Sequence, residues 1–349
     1  MGARWYSDAV TILDYWGNKT MGIVNLFGAA ALFLVTASGT ALAQPARSDA
    51  ATTYPNHPIR LVVPVPPGGS SDGVARILAQ KLSDTWGQQV IVDNRAGAAE
   101  IIGTDIVAKA NPDGYTLVLV SLRYSVNPTL LKLPYDAVKD FDPVTMTGAA
   151  GNVLVVNAKT AVKSAKELIA LARQKPGELT FASSGIGGAP HLTGEFFALQ
   201  TGIKLQHIAY KGGGPAIADL VGGNVTMSFA SMASSLPFIK SGRLRPLAVS
   251  SKDRSEQLPD VPTMLEAGVP NVQVRDWQGI LGPRGMPKPV IDKLAIEIAR
   301  TLKHPDNQGR LAAMGFEVIA STPDEFRKAI GAEIQRWAKV VKDANIKPE

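Results

Sequence analysis

The sequence predicts an α/β protein made of two lobes, each with a β-sheet between layers of helices. The chain has 349 residues, 45% of them apolar and 19% charged, so it is too long for one ordinary core and apolar enough for two. From residue 58, apolar strands, glycine-rich loops and amphipathic helices alternate. The same alternation begins again after Gly151, which predicts the second lobe.

The first lobe opens with an apolar strand, a sharp stop and a helix. Residues 59–65 are typical of a buried strand, and the PPGG sequence at 66–69 ends it. A helix is predicted over residues 72–86 because apolar residues recur there at helical spacing. Further strands are predicted over 89–93 and 115–121, and a helix over 98–110. Since strand-helix-strand units need right-handed crossovers, we expect a parallel, three-layer sheet.

The second lobe repeats the pattern, and its clearest element is a capped helix. Ser164 precedes an apolar-periodic segment and Glu167 follows three residues later, which predicts a helix over 164–174. The remaining predicted elements are strands over 152–157, 179–182, 205–210 and 225–229, helices over 191–200 and 215–221, and, late in the chain, a strand over 279–281 with helices over 287–302 and 323–344.

Glycine-rich turns join strands to helices in both lobes, at residues 66–72, 183–190 and 211–215. Glycine lets backbone amides approach a ligand, and the free amides and dipole at a helix N-terminus favour an anion. Loops on two lobes would face each other across a cleft at the carboxyl ends of the strands, where open α/β sheets bind ligands. Each loop alone could equally be a tight turn into a helix.

Composition excludes several classes of protein. The chain has no cysteine, which rules out disulfides and thiolate metal sites, and no pair of its four histidines has metal-ligand spacing, so we predict no metal and no cofactor. The net charge of +6 is scattered, and no finger or basic-aromatic motif accompanies it. We therefore expect no nucleic-acid partner.

The N-terminus predicts export to the periplasm. An apolar stretch at 23–35 follows Arg4 and Lys19 and leads to Ala41-Leu42-Ala43, which fits a secretory signal peptide at 1–43 that is cleaved before Gln44. A membrane anchor is the alternative, although the apolar run is short for a span. Residues 44–54 are interpreted as a flexible leader.

An enzymatic interpretation stays open at the second loop. A secreted α/β hydrolase could use Ser183 or Ser184 with His191, since nucleophile and base need only meet in space. Against it, the sequence contains no G-x-S-x-G elbow and indicates no carboxylate behind His191.

An ordered series of motifs resembles the Bug or TctC-type solute-binding proteins of tripartite tricarboxylate transporters. It begins with PIRLVVPVPPGGSSD at 58–72 and extends over nearly the whole predicted mature chain, about residues 55–347. The later motifs are VDNR at 92–95, NPDGYTL at 111–117, KLPYD at 132–136, SSG at 183–185 with HLTGE at 191–195, YKGGGPA at 210–216, LPDVPT at 258–263 and GP at 282–283.

The resemblance implies a type II periplasmic-binding-protein fold and a non-enzymatic function. Lobe 1 would comprise residues 55–150 and 278–349, and lobe 2 residues 151–277. The implied function is to capture a small carboxylate-containing solute between the lobes and deliver it to integral-membrane transporter subunits, with a sensor kinase as a further partner. Backbone amides and hydroxyls of the first two loops would hold a carboxylate.

The candidate ligand-binding residues come from both lobes. They are Val65, Pro67, Gly68, Gly69, Ser70, Ser71, Asp72, Ser121, Arg123, Ser183, Ser184, Gly185, Gly187, Gly188, His191, Lys211 and Ala230.

Three positions depart from the family pattern. Arg123 could pair with a second carboxylate or be a solvated surface residue. Glu100 would disfavour highly charged anions, and Ala230 stands where many relatives carry an aspartate that accepts from ligand amino groups. We therefore hypothesise a mono- or dicarboxylate, with an aromatic acid as one form, over an amino acid or citrate.

Asp72 would accept from an amine or hydroxyl of the ligand, or act only as a helix N-cap.

Overall fold

The computed structural model describes residues 53–347, apart from positions 271, 273, 344 and 345. The predicted signal peptide and most of the predicted leader lie outside the described residues. Tyr54, at the end of that leader, is buried and donates to the main-chain oxygen of Gly114 at 2.7 Å. Among the described helices, none is long and apolar enough to cross a membrane.

The first of two sheets has six strands in the order β11-β4-β10-β3-β1-β2. Strand β1 lies parallel to β2 and β3, whereas β10 is antiparallel to both β3 and β4. The parallel arrangement predicted for the first three strands is confirmed. Strand β10 returns to the sheet in the opposite direction, so the whole sheet is mixed. The strands are β1 (Ile59–Val63), β2 (Val90–Asn94), β3 (Thr116–Ser121), β4 (Phe141–Ala150), β10 (Asp276–Pro283) and β11 (Phe316–Val318).

The second sheet has five strands in the order β7-β6-β8-β5-β9 and is also mixed. Strand β6 is parallel to β7 and β8, and β5 is antiparallel to β8 and β9. Its strands are β5 (Asn152–Asn157), β6 (Thr180–Ser183), β7 (Gln206–Ala209), β8 (Met227–Ser231) and β9 (Leu244–Val249).

Helices cover the sheets, and their buried faces follow the sequence periodicity. In α1 the apolar residues Val74, Ile77, Leu78 and Leu82 are all buried. Ser164 caps α4 by accepting from the Glu167 main chain at 3.1 Å, as the sequence predicts. The helices are α1 (Ser70–Trp86), α2 (Ile101–Ala108), α3 (Arg123–Leu130), α4 (Ala165–Gln174), α5 (Ala189–Thr201), α6 (Gly213–Gly222), α7 (Met232–Lys240), α8 (Lys288–Leu302), α9 (Pro305–Ala313) and α10 (Pro323–Asp343).

Two segments of chain pass between the sheets. Gly151 separates β4 of the first sheet from β5 of the second, and residues 250–275 connect β9 to β10. The two crossings are bonded to each other: the Asn152 main-chain N–H donates to Ser250 Oγ at 2.8 Å, and the Ser250 N–H donates to the Asn152 main-chain oxygen at 2.8 Å. This pairing fixes the point from which the two lobes diverge.

Candidate functional site

A cavity of about 750 Å³ is lined by loops of both sheets. From the first sheet come the loops after β1 and β2 and the end of β3, and from the second sheet the loops after β6, β7 and β8. The cavity therefore lies at the carboxyl ends of parallel strands, where the alternation of strands and helices predicts a ligand cleft.

Three helices begin at this cavity, and each has a glycine as its N-cap. Gly69 precedes α1, Gly188 precedes α5 and Gly212 precedes α6, and none of the three ends is capped by a side chain. The first N–H groups of a helix have no partner within the helix, and the dipole places partial positive charge there. The cavity wall is therefore built to receive an anion.

Asp72 holds the first glycine loop from outside the cavity. Its Oδ2 accepts from the Gly68 main chain at 3.0 Å and from Arg76 Nε at 2.9 Å, and its Oδ1 accepts from Asn94 Nδ2 at 3.0 Å. Burial by itself raises the pKa of Asp72, but the hydrogen bonds from Arg76, Gly68 and Asn94 outweigh burial and lower it. Asp72 does not line the cavity and makes no side-chain N-cap; in this structure its side chain supports the first glycine loop.

Arg123 reaches from the first sheet's side of the cavity to the second loop. It opens α3, directly after β3, and its side chain is buried. Its Nη2 donates to the main-chain oxygens of Ser184 at 3.3 Å and Gly185 at 3.0 Å. The alternative of a solvated surface arginine is therefore wrong.

Two acidic residues lie beside Arg123. Glu100 Oε1 is 3.9 Å from Arg123 Nε, and the Ser121 hydroxyl donates to the Glu100 carboxylate at 3.0 Å. Glu100 ends a 3-10 turn, Ala98–Glu100, whose residues have positive φ angles of 44°, 52° and 75°. The predicted helix over 98–110 is therefore interrupted, and α2 begins only at Ile101. Such backbone conformations are costly for residues with a side chain and cluster at functional sites.

The second acidic residue is Asp276, which begins β10 and lines the cavity. Burial raises the pKa of Asp276 to about 7, and the neighbouring Glu100 carboxylate adds to the rise. The Leu122 main-chain N–H and the Arg123 guanidinium act in the opposite direction. Burial likewise raises the pKa of Glu100, against the effects of Arg123 and Ser121.

The serine and histidine residues of the second loop do not form the arrangement that a hydrolase needs. Ser183 Oγ lies 2.6 Å from Nε2 of His207, not beside His191, whose Nδ1 accepts from the Gly187 main chain at 3.1 Å. Ser183 is fully buried and does not line the cavity. Burial, together with His191, lowers the pKa of His207 to about 4. Ser183 and His207 therefore support the second glycine-rich loop, whose Gly185 N–H donates to Ser183 Oγ at 3.1 Å.

The structure brings most of the candidate residues together. Twelve of the seventeen line the cavity: Val65, Pro67, Gly69, Ser70, Ser71, Ser121, Arg123, Ser184, Gly185, Gly188, Lys211 and Ala230. Five do not: Gly68, Asp72, Ser183, Gly187 and His191.

Sequence reasoning missed several polar residues of the cavity wall. Asp276 is the most important of them, and the others are Asn152, Tyr210, Ser228, Ser231 and Ser234. Asp276 could have been found from its position just before the strand that returns to the first sheet. A chain that crosses from the second sheet to the first runs beside the cleft between them.

The two sheets, the two crossings and the cavity between them define a two-lobed binding protein of the type II periplasmic class. The model of the tripartite tricarboxylate transporter family receptor matches residues 74–346, and the chain belongs to that family. BugT of Bordetella pertussis is 42% identical over 330 residues, which cover 94% of this chain and 99% of BugT.

Two solved structures share the fold over their whole length. The periplasmic binding protein BugD is 34% identical with a TM-score of 0.80, over 85% of this chain and 100% of BugD. The R. palustris protein Rpa4515, solved with adipate, is also 34% identical, with a TM-score of 0.82 over 85% of this chain and 100% of Rpa4515. The chain is therefore an exported solute-binding protein and not an enzyme.

Proposed function

We propose that the protein captures one small carboxylate-bearing solute between its lobes and delivers it to the membrane subunits of a tripartite tricarboxylate-type transporter. The observation that carries this proposal is the convergence of three uncapped helix N-termini, at Gly69, Gly188 and Gly212, on one cavity. The adipate in the structure of Rpa4515 supports a carboxylate as the ligand class.

The physical basis is a set of fixed donors that need little rearrangement when the ligand enters. Hydrogen bonds to a charged group contribute roughly 1.5–3 kcal/mol each, about twice a neutral one. The hydroxyls of Ser70 and Ser71 lie in the first turn of α1 beside these amides. Ser70 Oγ already accepts from Gln278 Nε2 at 3.0 Å, so its proton remains available to a ligand oxygen.

Closure of the lobes would complete the site. In this proposal residues 55–150 and 278–349 form one lobe and residues 151–277 the other, and the seventeen candidate residues act either as contacts or as supports of the two loops. Arg123 supports this part of the proposal, because it bonds to the opposite loop across the cavity.

The cellular part of the proposal rests on the N-terminus and on the family. A signal peptide at residues 1–43 would direct export to the periplasm, and N-terminal sequencing of the exported protein should then begin at Gln44. The membrane subunits of the transporter are the proposed partners, and pull-down with the ligand-loaded protein tests them. A sensor kinase as a further partner stays a prediction.

A thermal-shift screen tests the binding function. The protein is unfolded and refolded to remove carried ligand and then screened against organic acids, amino acids, aromatic carboxylates and amides. Ligand at a hundredfold excess over its dissociation constant adds about 2.7 kcal/mol, which moves the midpoint by roughly a few degrees. A selective shift with one carboxylate is expected, and no shift with any carboxylate would overturn the proposal.

A matched pair of glycine variants locates the binding site. A Cβ at Gly69 meets nothing within 4 Å and its φ of −89° suits any residue, so Gly69→Val should fold but place its side chain at the cavity wall. A Cβ at Gly309 also meets nothing within 4 Å, and Gly309 does not line the cavity. The shift should disappear in Gly69→Val and persist in Gly309→Val.

A further inference from the structure

The second glycine-rich loop is held by side chains that lie outside the cavity lining. Of residues 184–190, all but Gly187 line the cavity. Gly187 is buried, and its N–H donates to Nδ1 of His191 at 3.1 Å. A Cβ on Gly187 would meet two side chains of α3, Leu130 at 3.3 Å and Val126 at 3.5 Å. The loop is therefore fixed at this glycine between α3 and His191.

His191 lies where a helix can hold the chain that leads into it. Helix α5 begins at Ala189 after its N-cap Gly188, so His191 is its third residue and Gly187 precedes the N-cap. In a capping box, the side chain of the third residue accepts from a main-chain N–H at the helix start. Gly188 has no side chain to return such a bond. The bond from Gly187 to His191 therefore joins the loop to the first turn of α5.

The same hydrogen bond fixes the tautomer of His191. A main-chain N–H can only donate, so Nδ1 must carry the lone pair, and the neutral ring then carries its proton on Nε2. Nε2 lies 3.6 Å from Oε1 of Glu195, one helical turn further along α5. The negative charge of Glu195 favours a proton on that nitrogen. The ring of His191 is therefore set as an acceptor for Gly187.

A second histidine acts on the loop two residues earlier. The Gly185 N–H donates to Ser183 Oγ at 3.1 Å, and Ser183 Oγ lies 2.6 Å from Nε2 of His207. The rings of His191 and His207 are stacked, with their centroids 4.2 Å apart. The stacked pair therefore supports the loop at two alternate glycines, Gly185 and Gly187.

We propose that His191 is a positioning residue of the binding site, whose Nδ1 holds the second glycine-rich loop in the conformation that presents the start of α5 to the ligand carboxylate. This inference rests on the proposed function and deepens it, because it assigns a binding role to a residue that does not line the cavity. A buried N–H that loses its acceptor destabilises the conformation that contains it. A loop without this acceptor would have to be ordered again on binding, which lowers affinity.

Two substitutions separate the acceptor of His191 from its ring. His191→Phe keeps an aromatic ring beside His207 but has no acceptor, whereas His191→Asn loses the ring and keeps an acceptor in the place of Nδ1. A role in packing alone predicts that the phenylalanine variant resembles the wild type. The proposed role predicts that the asparagine variant does. His57→Phe is the control, because His57 is exposed and does not line the cavity.

Amide hydrogen exchange of the ligand-free proteins reports on the loop directly. Exchange of residues 184–190 should be about tenfold faster in His191→Phe and within about threefold of the wild type in His191→Asn and His57→Phe. Unchanged exchange in His191→Phe, or equal acceleration in both His191 variants, would overturn the inference. Nitrogen NMR of labelled histidine should show the neutral His191 ring protonated on Nε2, and a proton on Nδ1 would overturn it as well.

Titration calorimetry then connects the loop to binding. The probes are succinate, benzoate and adipate, the last of which is bound in the structure of Rpa4515. Affinity for the tightest of the three should fall about tenfold in His191→Phe and return to within about threefold of the wild type in His191→Asn. Unchanged affinity in His191→Phe would overturn the positioning role. Binding of none of the three by the wild type, with the loop loosened as expected, would count against the proposed function and not against the hold of His191 on the loop.

Discussion

Arg123 Nη2 donates to the main-chain oxygen of Gly185 across the ligand cavity, at 3.0 Å. The arginine opens a helix that follows β3 of the first sheet, and the glycine follows β6 of the second. The buried guanidinium of Arg123 therefore joins the first sheet's side of the cavity to a loop of the second sheet.

Replacing Arg123 by alanine should weaken ligand binding by about tenfold to a hundredfold. The variant loses charge-assisted hydrogen bonds to Ser184 and Gly185, which contribute roughly 1.5–3 kcal/mol each when made to a charged donor. Titration calorimetry measures the change. Arg310→Ala is the control, because Arg310 is exposed, does not line the cavity and donates to Gln80 Oε1 at 3.1 Å. Equal affinities of the two variants would contradict the role of Arg123.

Gly188→Ala should weaken binding through the same bond. A Cβ on Gly188 would overlap Nη2 of Arg123, so the guanidinium has to move away from the loop. A loss of about tenfold is expected in the wild-type background and little further loss in Arg123→Ala, because contacting residues are not additive. Additive losses in this double-mutant cycle would show that Gly188 acts independently of Arg123.

Asp72→Asn should loosen the first glycine loop. The amide nitrogen of asparagine cannot accept from Gly68 or Arg76, so the free energy of unfolding should fall by about 1–3 kcal/mol. Because the folded pKa of Asp72 is lowered, its stabilisation is present above the ordinary aspartate pKa and is lost as pH falls below it. Urea unfolding at pH 7 and pH 3 should show a smaller difference between variant and wild type at pH 3. The exposed Asp84→Asn, on the same helix, is the control.

Asp276→Asn should stabilise the ligand-free protein at alkaline pH. The folded pKa of Asp276 is raised to about 7, so between about pH 4 and 7 the folded state holds a proton that the unfolded state has released. Wild-type stability therefore falls as pH rises through this window. The variant lacks that penalty and should be more stable by about 1–4 kcal/mol at pH 8 and nearly unchanged at pH 4. If urea unfolding at pH 8 showed the variant to be less stable than the wild type, the raised pKa of Asp276 would be contradicted.

The sequence predicted those elements whose apolar residues are periodic and whose ends carry a clear signal. The strand Asn152–Asn157 and the cap at Ser164 are examples. It missed α3 because that short helix contains Pro128 and buries polar residues such as Ser125 and Asn127, so no apolar stripe marks it. It missed β4 for a similar reason: Thr145 and Thr147 are buried, and each donates to a main-chain oxygen, so the strand lacks a continuous apolar run.

The candidate site was predictable where backbone groups form it and not where side chains from distant segments meet. A glycine-rich loop before a helix can be recognised from the sequence alone. Gly69 and Gly188 line the cavity, as that pattern predicts. The contact of Arg123 with Gly185 joins segments of two different sheets. Asp276 lines the same cavity as Glu100 because β10 returns to the first sheet between β3 and β4. No local pattern encodes that return.

Recognition of a carboxylate by the helix N-termini is tested most directly by comparing a bound acid with its amide. Once the screen has identified a ligand, titration calorimetry measures the wild-type affinity for the acid and for the analogue whose carboxylate, the group proposed to face the helix N-termini, is a primary amide. We expect one binding site per chain and an affinity about a hundredfold lower for the amide, because the negative charge has been removed. An amide that binds as tightly as the acid would contradict recognition of a carboxylate by the three helix N-termini.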